Sequence, residues 1–393
     1  MQQLCTKRAK GEAIGVPNMN GMRKGIDDRT HPDRPIRHTR LFEKVWGSIL
    51  AGAIGDAMGG AIEGLDHDEI HNRFGRVDRY LPFLRPPSYH GAFGVTPALY
   101  TDDTRLRLVL CQAIIEAGDL PSRGEFGRAI VAAYHAATTD LERGFLEEYA
   151  FKAIHGSEKL IFAGEPTNGA IMMNAPVGLL CAGAPFEAFD AAYQLAFITD
   201  GYAKHSAAAM AAAVAEAMRP ETSVERIIEA SLTSLARHRQ RVEGPLWRAS
   251  PKRYAPNEQA IETAVEIARK TSDVFALPAV LAPVVERGPF FSEATQSLAV
   301  PLAMLVAANG DLRLTILGSV NYGRDNDSYA SIAGGIAGAL HGAGAVPEEW
   351  VEPLLKANPV PDLHQVATDL CQVIVARHAA QRQTVLAVQE LLR

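Results

Sequence analysis

The chain has 393 residues and a mass of 42.3 kDa, enough for one large domain or two ordinary ones, and its 47% hydrophobic and 21% charged residues allow a sizeable core. A net charge of −6, a pI near 6.1 and only 7% aromatic residues exclude a general nucleic-acid binder, which needs a basic field and stacking surfaces. No apolar run reaches the roughly 18 residues of a membrane span, the opening stretch has no signal-peptide core, and the four scattered cysteines (Cys5, Cys111, Cys181, Cys371) form no CxxC, which together predict a cytoplasmic protein with reduced thiols.

Residues 1–40 carry nine Lys and Arg side chains between Lys7 and Arg40 without apolar periodicity, and read as a mobile basic arm. A translation start at Met19 or Met22 is the plainer alternative. From Leu41 the spacing of apolar residues predicts helices over 41–62, 102–117, 123–138, 169–182, 185–199, 205–219, 222–239, 257–271, 296–308, 311–321, 327–342 and 364–392. Ser122, Pro185 and Thr222 or Ser223 supply start signals. The segments 76–83 and 88–99 read as loops, and no series of alternating strands or fixed repeat is present. The expectation is therefore all-α: a single compact orthogonal helical domain over 41–393, preceded by a flexible basic arm.

The first of these helices runs through Gly47, Gly52, Gly55, Gly59, Gly60 and Gly64, and a later one repeats glycine at Gly334, Gly338 and Gly342. Each interior glycine costs a helix up to ~1 kcal/mol against alanine. Such a series predicts close backbone approach. Both helices also carry acidic residues, Asp56 and Glu63 in one and Asp325 and Asp327 beside the other, so the pair is expected to pack centrally around a site.

Two acidic clusters open helices: Thr101-Asp102-Asp103-Thr104, and Gly323-Arg324-Asp325-Asn326-Asp327-Ser328. Four carboxylates with neighbouring hydroxyls are hard oxygen donors, which suit Mg²⁺ or Mn²⁺, whereas zinc favours His and Cys. Capping of free helix amides by Thr101, Asp102 or Asp325 is the alternative for either cluster alone, and it is compatible with metal binding. Two oxygen-ligated ions would clamp vicinal hydroxyls or a phosphate. Glu63, at the end of the Gly-rich helix, could be a ligand, an acid or base, or an ordinary surface carboxylate. Pro166-Thr167-Asn168-Gly169-Ala170 begins another predicted helix, where backbone amides could receive an anion or form an ordinary turn.

Taken in order, GSILAGAIGDAMGGAIEG, YTDDT, TNGAIMMNAPVGLL and NYGRDNDSYASIAGGIAGALHG resemble the ADP-ribosylglycohydrolase family over about residues 41–345. That resemblance implies an all-helical hydrolase, acting as a monomer with two Mg²⁺ or Mn²⁺ ions, that cleaves the bond at C1″ of ADP-ribose. It also implies Thr101, Asp102, Asp103, Asp325, Asp327 and Ser328 as metal ligands. Glu63, Asp102 and Asp103 would be the catalytic groups, and Asn168, Gly169, Asp200 and Gly323 would bind substrate. The partner would be an ADP-ribosylated protein or a small ADP-ribosyl or ribosyl compound, without nucleic acid or membrane. Three positions depart from the pattern: Ser328 where Thr is usual, Met173 where many members have Arg, and Thr199-Asp200-Gly201 without the usual His. The last two are expected to touch the substrate pocket. Two other expectations follow from them: a catalytically silent ADP-ribose-binding homologue, and a hydrolase of a free nucleotide or nucleoside-like metabolite.

Overall fold

In the computed structural model, residues 35–84, 94–156, 166–239, 256–285 and 292–392 are described, and they form sixteen α-helices. In chain order these are α1 (Arg40–Gly60), α2 (His67–Phe74), α3 (Asp102–Ala117), α4 (Arg123–Ala136), α5 (Asp140–Gly156), α6 (Ala175–Leu180), α7 (Pro185–Leu195) and α8 (Ala203–Ala217). There follow α9 (Val224–His238), α10 (Pro256–Lys270), α11 (Leu277–Val285), α12 (Ala294–Ala307), α13 (Leu312–Tyr322), α14 (Asn326–His341), α15 (Glu348–Ala357) and α16 (Leu363–Leu391). Among the described residues there is no β-strand, only the isolated bridges Asp66–Gly323 and Thr167–Glu293. No described helix is long and apolar enough to cross a membrane.

The two glycine-bearing helices pack face to face, and the reason is steric. A Cβ at Gly55, Gly59, Gly334 or Gly338 would stand less than 3.0 Å from backbone atoms of the facing helix: Ala330, Asp327, Ala51 and Gly47 respectively. Only glycine permits that approach. Lys44 then locks one end of the pair. Its buried ammonium donates to the carbonyls of Ala217 (2.7 Å), Ala339 (2.7 Å) and Leu340 (2.8 Å), satisfying orphan carbonyls at the ends of α8 and α14.

Helix α8 is buried on almost every face. Its alanines are small enough for α6, α7, α9, α12 and α14 to surround it, so it forms a second axis of the core.

Several boundaries and elements differ from the sequence expectation. The stretch expected as one helix over 169–182 is a 3₁₀ turn, Asn168–Ala170, followed by the short α6. Pro176 accounts for the break, because it lacks an amide hydrogen and restricts the residue before it. Helices α2, α5, α11 and α15 lie where none was expected. Helix α11 is apolar nearly throughout and holds Pro283, and α15 holds Pro353, which masks their periodicity. Helix α2 is short, yet its Asp66–Glu69 capping box was readable. Residues 1–34 of the expected basic arm, and 88–93 of the expected loop, lie outside the described residues. Residues 35–40 are ordered: Ile36–His38 is a 3₁₀ turn, and Arg37 donates to Gln365 (2.8 Å) and Thr368 (3.0 Å) on α16.

Candidate metal and active site

The close approach of α1 and α14 brings three chain segments to one place. The turn after α1 carries Glu63, the start of α3 carries Thr101, Asp102 and Asp103, and the start of α14 carries Asp325, Asp327 and Ser328. All are buried except the half-buried Asp102. Glu63, Asp325 and Asp327 can each offer an oxygen within 4.8 Å of the others, and so can Asp102, Asp103 and Asp327. Asp327 belongs to both trios. The expected ligands therefore meet, although Thr101 and Asp325 are separated by more than two hundred residues.

Capping explains only part of this: Asp327 Oδ1 accepts the helix-start amide of Ser328 (2.9 Å). Neither Thr101 nor Asp325, the N-cap residues of α3 and α14, makes a side-chain cap hydrogen bond. The amides at the start of α3 are served by Asp56 of α1, a residue the sequence reading placed near the site without giving it a role. Its fully buried carboxylate accepts from Thr101 N (2.9 Å), Thr101 Oγ1 (2.6 Å), Thr104 N (2.9 Å) and Thr104 Oγ1 (2.5 Å). With its proton given to Asp56, the Thr101 hydroxyl keeps lone pairs for a cation.

Hydrogen bonds stitch the remaining candidate ligands together. The side-chain amide of Asn168 donates to Asp325 Oδ2 (2.5 Å) and Ser328 Oγ (2.9 Å), and Ser328 Oγ donates to Asp103 Oδ2 (3.0 Å). Ser328 thus performs the bridging for which a hydroxyl is needed, with or without the extra methyl of threonine. Asn168 is itself held from behind: its amide donates to Ser292 O (3.0 Å), and Ala294 N donates to Pro166 O (3.1 Å). Glu293 caps α12 between them, accepting from Thr295 N and Gln296 N at 3.1 Å.

Gly323 sits at the edge of the same region with φ +87°, and a Cβ there would meet Leu65 O at 2.5 Å. The following residue, Arg324, is also left-handed at φ +61°. This local strain is held by paired backbone bonds, Gly64 N to Arg324 O (2.7 Å) and Arg324 N to Leu65 O (2.6 Å). The pairing joins the Glu63 turn to the Asp325 turn and so fixes Glu63 beside Asp325 and Asp327.

Asp200 is placed elsewhere. It lies in the turn before α8, where its carboxylate accepts from Gly201 N (2.7 Å), and it joins neither trio. Its neighbour Thr199 donates to Thr167 O (2.7 Å), so this turn supports the Asn168 segment from the side. Met173, where many members of the family have Arg, is fully buried in the core. The cation near this position comes from α3 instead. Arg107 is buried, and its Nη2 donates to Met172 O (3.0 Å) and Ser331 Oγ (2.5 Å). Sequence reasoning missed it, since an arginine one turn into a helix ordinarily signals an exposed face.

The electrostatics follow from burying like charges together. Burial, then the charge of Asp56, pushes Asp102 up to about 6, and burial, then Asp102, pushes Asp325 up to about 7. Asp103 and Asp327 are raised well above the usual carboxylate range by burial and by their acidic neighbours, with Arg107 opposing at Asp103. The buried Asp103 Oδ1 has no hydrogen-bond partner among the described residues. An all-oxygen donor set, an orphaned carboxylate oxygen and an excess of buried negative charge fit a hard divalent cation.

The chain matches the family model described as ADP-ribosylglycohydrolase over residues 37–380. It is 27% identical over 350 residues to a protein of Escherichia coli (strain K12) named "Uncharacterized protein YegU", covering 87% of this chain and 99% of that one. An uncharacterized protein of Archaeoglobus fulgidus is 27% identical over 340 residues, covering 80% of this chain and 92% of the other. A solved structure described as "ADP-ribosylglycohydrolase-related protein complex" matches with a TM-score of 0.59 at 20% identity, over 85% of this chain and 99% of that one, a likeness of fold. The matched span takes in the glycine-packed helix pair, both acidic clusters and the Asn168 turn, and the chain belongs to the ADP-ribosylglycohydrolase family.

Proposed function

We propose that this protein is a metal-dependent hydrolase that cleaves the glycosidic bond at C1″ of an ADP-ribosyl group. The observation that carries the reading is the pair of oxygen trios sharing Asp327, which supports two adjacent cation positions. Thr101, Asp102, Asp103, Asp325, Asp327 and Ser328 would hold Mg²⁺ or Mn²⁺, with Glu63 at the edge. Bound there, the two ions would supply positive charge to grip the 2″- and 3″-hydroxyls of the ribose and to favour water ionisation.

The chain's own residues do the rest. As the C1″–aglycone bond breaks and the ribose gains oxocarbenium character, Asp102, Asp103 or Glu63 orients the attacking water and takes its proton, while the departing aglycone leaves with the bonding pair and gains a proton. Asp56 holds Thr101 and Thr104 in place through its four hydrogen bonds, and with them the Asp102-Asp103 pair between them. Asn168 and Gly169 receive the distal part of the substrate, and the Asn168 amide keeps Asp325 and Ser328 aligned while it does so.

The test is a turnover assay of the purified protein with Mg²⁺, offering ADP-ribosyl-arginine, ADP-ribosyl-serine and free nucleosides side by side. Release of ADP-ribose from a conjugate, abolished by EDTA, supports the reading. Turnover of nucleosides alone would replace it with a nucleoside hydrolase. Tight ADP-ribose binding without any product would replace it with a binding protein.

A further inference from the structure

One aromatic group stands beside the acidic cluster without a part in the scheme above. Tyr149 lies on α5, which is tied to α3 through the ion pair of Arg105 Nη1 with Glu142 Oε1 (2.9 Å). The pairing joins α5 to the helix that opens with Asp102 and Asp103. The Tyr149 hydroxyl stands 3.0 Å from the position a Cβ on Gly169 would take, and the ring edge at Cε1 stands 3.2 Å from it. The absence of a side chain at Gly169 is what lets the phenol rest against the Asn168 turn. Phe145 backs the ring edge-on, with centroids 5.4 Å apart, so the ring's position is defined by packing.

The surroundings fix the state of the hydroxyl. Burial first, then the charges of Asp102, Glu148, Asp103 and Asp325, raise the Tyr149 phenol well above its usual range. It is therefore a neutral donor at any physiological pH and no base. That suits the neighbourhood. A neutral O–H beside the backbone at Gly169 offers a phosphate oxygen a hydrogen bond without further desolvated charge. Lys152, one turn along, has its Nζ 5.8 Å from the ring centroid and pairs with Glu148 (2.5 Å), so the two charges balance beside the ring.

We propose that Tyr149 is a substrate-positioning residue whose hydroxyl, resting in the space left by Gly169, donates a hydrogen bond to a phosphate oxygen of the ADP-ribosyl group. This inference rests on the functional reading above and adds to it a polar contact at the Gly169 side of the site. Nothing in the reacting bond depends on Tyr149, so its loss acts on binding.

The experiment compares wild type, Tyr149→Phe and Tyr149→Ala. ADP-ribose affinity is measured by calorimetry in Mg²⁺, KM and kcat with the conjugate that the wild type cleaves, and Mn²⁺ affinity and Tm as controls. One lost hydrogen bond to a charged oxygen predicts that Tyr149→Phe raises the ADP-ribose Kd and KM together by roughly tenfold, with kcat and Mn²⁺ affinity within about twofold. Tyr149→Ala should lose more, because the ring goes as well. Values of Kd and KM within twofold of wild type in Tyr149→Phe, or a loss confined to kcat or Mn²⁺ binding, would overturn the proposal while leaving the functional reading intact. A wild type that neither binds ADP-ribose nor cleaves a conjugate would overturn the functional reading, and this proposal with it.

Discussion

Gly59 of α1 lies directly against the backbone of Asp327: a Cβ there would stand less than 3.0 Å from the Asp327 nitrogen and Cα. Helix packing and ligand placement are thus one geometric fact. Gly59→Ala must push α14 away and carry Asp327 with it, at a cost of roughly 1–3 kcal/mol for overpacking. It should lower Tm by several degrees and weaken Mn²⁺ binding together. Gly335 is the control, since its nearest neighbour would be 3.8 Å away. Gly335→Ala should leave metal binding unchanged and gain up to ~1 kcal/mol from helix propensity. Equal behaviour of the two variants in thermal melts would contradict this.

Asp56 makes a second prediction. Asp56→Ala would leave two backbone amides and two hydroxyls at the start of α3 without their acceptor in a buried site, costing roughly 3–5 kcal/mol. Asp56→Asn keeps the shape but only one acceptor oxygen, and should fall between. Denaturant unfolding gives the order. Metal affinity should drop in both variants even though Asp56 belongs to neither oxygen trio, because Asp102 and Asp103 lose their anchor.

The raised carboxylates predict how stability depends on pH. Asp102 near 6 and Asp325 near 7 titrate above the ordinary 3.8, so between about 3.8 and 7 the metal-free folded protein holds more protons than the unfolded chain. Stability then falls as pH rises through that window. In EDTA, Tm should decrease from pH 5 to pH 8. Added Mn²⁺ should reverse the trend, stabilising more at pH 8 than at pH 5, because protons compete with the cation for the same oxygens. A metal-induced shift of equal size at both pH values would show that these carboxylates are not the binding site.

Much of the candidate site was legible because its candidate ligands come in short runs. Asp102-Asp103 and Asp325-Asn326-Asp327 each sit at a helix start, and the flanking glycine series predicted the backbone contact that unites them. What could not be read was contributed singly from other elements. Arg107, Tyr149 and Glu293 act through tertiary contacts, as does Asp56, whose neighbourhood but not whose role the glycine helix indicated, and no local spacing marks a lone residue as facing a site. Helix α5, which carries Tyr149, escaped the pattern because only Phe145, Leu146, Ala150, Ala153 and Gly156 are buried along its 17 residues, a stripe too thin to stand out. Met173 is a related case. The side chain is buried in the core, and a cation from α3, Arg107, donates to the neighbouring Met172 carbonyl, a contact that the local pattern does not mark.

The most direct measurement is a calorimetric titration of Mn²⁺ into the EDTA-stripped protein, beside Asp327→Asn, which alters the residue common to both trios. The wild type should take up two equivalents per chain. Asp327→Asn should bind at least roughly 100-fold more weakly, while melting no lower than the metal-free wild type because a buried charge has been removed from a repulsive group. Failure of the wild type to bind Mn²⁺, or undiminished binding by a folded Asp327→Asn, would contradict the account.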